Sequence, residues 1–90
     1  MQRIHIFISG IVQGVNFRRF VKEKADESNI KGYVKNTEDL WVEAVFEGSE
    51  KDLEKIINNC KKGPLSAKVN HTDIIKEKYK GEFKSFEIIR

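Results

Sequence analysis

Apolar and polar residues alternate from Arg3 to Ser9, with Ile4, Ile6 and Ile8 on one face and Arg3, His5, Phe7 and Ser9 on the other. A period of two marks a strand half-buried on a core. Phe7 indicates that the second face is partly covered as well. The period changes at Phe17. Phe17, Phe20, Val21, Lys24, Ala25 and Ser28 recur at helical spacing, which predicts a helix from Phe17 to about Ser28, ended by Asn29 or Gly32. Gly32 to Asn36 reads as a short strand and Thr37 to Leu40 as a polar turn. Trp41 to Glu47 is a second alternating strand, so the two pair as a hairpin. Ser49 is an expected N-cap, with Asp52 three residues on as a weak capping box. Leu53, Ile56, Ile57 and Cys60 form the apolar stripe of a second helix. Lys61 and Lys62 suit its C-terminal dipole, and Gly63-Pro64 stops it. Ala67 to Ile75 is strand-like, but its alternation slips between Val69 and Ile74, as a bulge would require. After a charged loop, Lys76 to Glu82, strand character returns from Phe83 to Ile89, with Phe86 and Ile88 on one face.

The order β-α-β-β-α-β with one extra C-terminal strand predicts an α+β, ferredoxin-like sandwich, two helices on one face of a mainly antiparallel sheet. Ninety residues allow one modest core, so residues 1–90 are expected to form a single domain. In this topology the first and second strands run parallel, with the third between them. Their C-terminal ends then lie at one edge. Asn36, at the end of the second strand, is therefore expected beside the loop that follows the first, with its side chain on the helix face that it shares with Val34.

That loop is the stretch of chemical interest. Gly10-Ile11-Val12-Gln13-Gly14-Val15-Asn16-Phe17-Arg18 leads from a strand into a helix N-terminus. Unpaired backbone N–H groups and the helix dipole favour an anion there. Gly10 and Gly14 are expected to let the backbone turn and approach a ligand, and Asn16 to serve as N-cap when no ligand is bound. At 100° per residue Arg19 falls on the far, solvated side of the helix. Arg18 falls at the border of the apolar stripe, so Arg18 is the arginine that can lean over the loop and offer its fork of donors to a phosphate. From these residues alone, an ordinary strand-to-helix turn with a surface arginine stands beside this reading. A turn-starting asparagine stands beside the functional one for Asn36.

Composition narrows the classes. One cysteine, Cys60, forms neither an internal disulfide nor a thiolate metal site, and it fits a reducing, cytoplasmic setting. His5 and His71 are too few for a metal cluster. The sequence runs directly into strand alternation at its start, so no signal peptide is expected, and no apolar run reaches membrane-spanning length. The net charge of +3 is uneven: five basic and three acidic residues in 1–30, four and seven in 31–60, eight and four in 61–90. This attracts small anions but is not a basic stripe with interleaved aromatics. An RNA-binding ferredoxin-like domain would need paired aromatics on exposed strands, whereas the first strand offers Phe7 alone. A non-catalytic anion-binding module remains open, because fold alone does not settle function.

Two ordered motifs add a resemblance that covers nearly the whole chain. Gly10 to Arg18 resembles the phosphate-loop signature of the acylphosphatase family, G-x-V-Q-G-V-x-[FY]-R, and Gly32-Tyr33-Val34-Lys35-Asn36 resembles its second motif, G-[WYF]-V-x-N. The chain departs from the family pattern at Ile11, where an arginine is common, and at Leu40, where a glycine is frequent. The resemblance implies a small stand-alone acylphosphatase that hydrolyses the carboxyl–phosphate bond of acyl phosphates to carboxylate and inorganic phosphate. It implies catalysis by Arg18, which binds phosphate, and Asn36, which positions the attacking water. It also implies a cradle of backbone amides across Gln13, Gly14, Val15, Asn16 and Phe17. No metal or other cofactor is implied. The implied partner is the small-molecule acyl phosphate, with no nucleic acid or membrane, and a chain this size is expected to work as a monomer in the cytoplasm.

Overall fold

A computed structural model describes residues 1–90. The elements are β1 (Gln2–Ile11), α1 (Phe17–Glu27), β2 (Lys31–Asn36), β3 (Val42–Gly48), α2 (Glu50–Lys62), β4 (Lys68–Glu77) and β5 (Phe86–Ile89). All five strands join one sheet in the order β4-β1-β3-β2-β5. β3 is antiparallel to both β1 and β2, so β1 and β2 run in the same direction, as the ferredoxin-like pattern requires. β5 adds to the outer edge of β2 and runs parallel to it.

The period-two faces of the strands explain the layers. Ile4, Ile6 and Ile8 of β1, Val34 of β2, and Val42, Ala44 and Phe46 of β3 turn to the helix side and are buried. They meet Phe17, Val21 and Ala25 of α1 and Leu53, Ile56 and Cys60 of α2 in one apolar cluster. Phe86 of β5 stacks on Phe46 with ring centroids 5.5 Å apart, which ties the last strand to the core. Cys60 is buried there as a small hydrophobe, and burial pushes its thiol up to about 12.

Several boundaries differ from the sequence expectation. β1 continues past Ser9 to Ile11 because Gly10 and Ile11 pair with Val69 and Lys68 of β4. Ser9 pairs with His71, so Asn70 is the extra residue of a bulge within the segment where the alternation slips. Gly10 is required by this pairing: a Cβ there would stand 2.1 Å from the Lys68 carbonyl oxygen. Its role is strand contact, not the approach of a ligand. β4 runs on to Glu77, and β5 begins only at Phe86. Phe83 instead packs its ring edgewise on Tyr33 at 5.9 Å. The turn from Thr37 to Trp41 places Leu40 in the left-handed region at φ 70°, which accounts for a hairpin without the usual glycine.

The face without helices is closed by charge. Arg3 stands opposite Glu47 in the sheet register and is buried. Its guanidinium meets Glu77 at 2.8 Å, Glu82 at 2.6 Å and Glu47 at 3.2 Å. Burial works against its charge, but the three carboxylates prevail and raise its pKa. Glu47 also accepts the backbone N–H groups of Lys80 and Gly81, so a strand carboxylate orders the charged loop after β4. His5 lies between Glu43 and Glu77 at 2.7 and 3.1 Å.

Candidate active site

The two helices of this chain begin differently. Ser49 caps α2 by accepting the Asp52 N–H at 3.1 Å, and Glu50 and Asp52 place negative charge in its first turn. Asn16 stands at the same position of α1 but takes a left-handed conformation, φ 60°, and makes no side-chain cap. The expected Asn16 cap does not form, and a capping residue ordinarily has the extended backbone that Ser49 adopts and Asn16 does not. The first turn of α1 carries no acidic residue. Its first N–H groups have no acceptor within the helix, and its dipole is not neutralised. Gly14, at φ 74° with nothing within 4 Å of an added Cβ, turns the chain into this exposed start.

Above the helix start lies a cleft of about 370 Å³. Gly14, Asn16, Phe17, Arg18 and Asn36 line it, together with Val12, Arg19, Ile88 and Arg90. The chain crossing thus brings Asn36 to the loop and to Arg18, across 18 residues of sequence. Gln13 and Val15, the other two expected cradle residues, lie off the wall. The Gln13 side chain reaches the turn after β2, and the Val15 carbonyl accepts the Ser66 hydroxyl at 3.0 Å.

The charges in the cleft are unpaired. Arg18, Arg19 and Arg90 take part in no ion pair with a protein carboxylate, while Arg3, Lys22, Lys24 and Lys35 do. The only hydrogen bond of the Arg18 guanidinium is a 3.5 Å approach to the Ile89 carbonyl, at the limit of such a bond. Arg19 is exposed, as its helical angle predicts, yet it also borders the cleft, because the wall reaches past the apolar stripe. The Asn36 Oδ1 is buried and has no hydrogen-bond partner. A buried polar atom without a partner is uncommon in a folded protein and calls for an explanation. Here it is an acceptor held at the border of a cationic cleft.

Arg90 was not among the expected site residues. It reaches the cleft because β5 pairs with β2 in parallel, Lys35 opposite Ile89, so the next residue falls beside Asn36. Pairing the last strand with β2 from the sequence would have revealed it. Gln13 was expected to act through its backbone. Its side chain, the one polar group between the buried Val12 and the turn at Gly14, was the available signal for a second role.

Comparison with known proteins identifies the family. The family model described as Acylphosphatase matches residues 4–88. An acylphosphatase of Roseiflexus sp. is 47% identical over 99% of this chain and 96% of its own. An acylphosphatase of Pyrobaculum aerophilum is 44% identical over 99% and 95%. The crystal structure of acylphosphatase from Bacillus subtilis superposes with a TM-score of 0.96 at 33% identity, covering all of both chains. With both motifs in place around one anion-ready cleft, and a match over nearly its whole length, this chain belongs to the acylphosphatase family.

Proposed function

We propose that Arg18 and Asn36 carry the hydrolysis of acyl phosphates that membership of this family assigns to the chain. The observation that carries the reading is the convergence in one cleft of an unpaired Arg18, an uncapped helix start and the partnerless Asn36 Oδ1. Arg18 binds the phosphate oxygens. Within the loop from Gln13 to Phe17, the backbone amides of Gly14, Asn16 and Phe17, the three residues on the cleft wall, cradle them. The Asn36 carbonyl oxygen accepts a hydrogen bond from the attacking water, which orients the water's lone pair towards phosphorus.

The chemistry asks little more of the protein. Phosphoryl transfer gathers negative charge on the equatorial oxygens, so fixed donors that meet that charge lower the barrier. The leaving group is a carboxylate, stable without protonation, so no strong general acid is needed. The donor set of arginines, amides and one amide carbonyl suits an anion rather than a cation, in keeping with a metal-independent reaction. The substrate is a small-molecule acyl phosphate and the products are a carboxylate and inorganic phosphate. The reading places a monomeric enzyme of one domain, residues 1–90, in the cytoplasm, which the single buried thiol of Cys60 fits. No helix is long and apolar enough to cross a membrane.

Hydrolysis of benzoyl phosphate in the presence of a chelator tests the assignment. Wild-type turnover is expected to survive the chelator. Arg18→Lys and Asn36→Ala are expected to lose on the order of 100-fold or more in rate, each remaining folded, while Arg19→Ala keeps most of it. Loss confined to Arg19→Ala would overturn the choice of Arg18. A folded wild type without turnover would leave the cleft an anion-binding site.

A further inference from the structure

Gln13 sits in the phosphate loop, but its side chain points away from the cleft. Its Nε2 donates to the Thr37 carbonyl at 3.0 Å and to the Trp41 carbonyl at 2.8 Å. A primary amide has two hydrogens, and both are used. The two acceptors stand on either side of the turn that joins β2 to β3, and Thr37 is peptide-bonded to Asn36. The turn does not depend on Gln13 for closure. The Thr37 N–H already bonds the Trp41 carbonyl at 2.9 Å, the Leu40 N–H bonds the Thr37 carbonyl at 3.2 Å, and the Trp41 N–H bonds the Thr37 hydroxyl at 3.1 Å. What the Gln13 amide adds is a tie between two separate pieces of the site: the loop that starts α1 and the strand end that carries Asn36.

We propose that Gln13 is a positioning residue, whose side-chain amide holds the phosphate loop and Asn36 in register. The inference rests on the roles given above to the loop and to Asn36. Two groups that act on one phosphorus from different elements must keep their spacing, and a misplacement of about 1 Å can cost about 100-fold in rate. Phosphate binding depends on the loop and Arg18 alone. Attack depends on the loop and Asn36 together. Losing the tie therefore lowers turnover and spares phosphate affinity.

The experiment is a double-mutant cycle. Turnover of benzoyl phosphate and competitive inhibition by inorganic phosphate are measured for wild type, Gln13→Met, Asn36→Ala and the double variant. Gln13→Met keeps the chain length and removes both donors. Gln13→Glu, nearly isosteric and without a donor at neutral pH, stands in should the first variant fail to fold. The expected result is a kcat about 10- to 100-fold lower in Gln13→Met with the phosphate inhibition constant unchanged. In the Asn36→Ala background the same substitution is expected to cost far less, because its effect passes through Asn36. An unchanged kcat, a fall in phosphate affinity that matches the fall in kcat, or full multiplication of the two losses would each overturn the proposal. Full turnover in Asn36→Ala would overturn the role of Asn36 itself, and the positioning role with it.

Discussion

At the residue scale, the two glycines of the loop motif serve different ends. Gly10 is held against the backbone of β4, and Gly14 turns in open space. Gly10→Ala is therefore expected to cost stability well beyond Gly14→Ala, because its Cβ would meet the Lys68 carbonyl and open the pairing at the bulge. Gly14→Ala meets no atom and carries only the penalty of a left-handed conformation, about 1 kcal/mol. Urea unfolding of the two variants, with kcat measured beside it, separates the roles. A Gly10→Ala variant as stable as Gly14→Ala would contradict the strand-contact role. The motif was legible as a string, but the string treats its glycines alike. Only the neighbour across the sheet distinguishes them. The same holds for Gln13, whose acceptors lie 24 and 28 residues away.

At the element scale, the periodicities identified every helix and strand, and the errors lie at the ends. The helices were legible because both bury one stripe and carry stop signals, such as Gly63-Pro64 after α2. The limits of β1, β4 and β5 were not, because strand length follows from what pairs alongside. The unequal helix starts provide a further measurement. Ser49→Ala removes the cap of α2 and is expected to cost about 1 kcal/mol without changing turnover, since α2 stands clear of the cleft. Asn16→Gly removes no cap from α1 and suits its left-handed backbone, so no loss of stability is expected. Thermal denaturation of the pair decides between them: a loss in Asn16→Gly as large as that in Ser49→Ala would mean that Asn16 caps its helix after all.

At the scale of the whole molecule, the sheet has one face covered by helices and one closed by ion pairs, and the second makes stability depend on pH. Glu47 is held below the usual carboxylate range although burial opposes it, because the Lys80 N–H, Arg3 and the Gly81 N–H favour its charge. Arg3 and then His5 do the same for Glu77. Both carboxyls titrate lower in the folded chain than in the unfolded one. Their contribution is thus complete above the ordinary glutamate range and is lost as the pH falls through the lowered folded values. Urea midpoints are expected to hold from pH 7 to 5 and to drop steeply below about 4, with a shallower drop in Glu47→Gln. Arg3→Met is expected to cost about 3 kcal/mol at pH 7, because Glu47 stays buried with a partner removed. A drop that is equally steep in Glu47→Gln would place the acid sensitivity elsewhere. Arg3 and His5 read in the sequence only as the second, partly covered face of a strand, since alternation records only which face a residue takes. Glu47, Glu77 and Glu82 lie 44, 74 and 79 positions from Arg3, and no local pattern announces them. By itself the sequence determined the order of elements, the core stripes, the strand-loop-helix passage from Gly10 to Arg18 and the exposure of Arg19, because these follow from spacing along one segment. The tertiary structure alone decided the ion-paired face, the arrival of Arg90 at the cleft, the tie from Gln13 to the Asn36 turn and the buried, partnerless acceptor of Asn36. Each of these needs two segments brought together, and that is settled by strand pairing and burial rather than by periodicity.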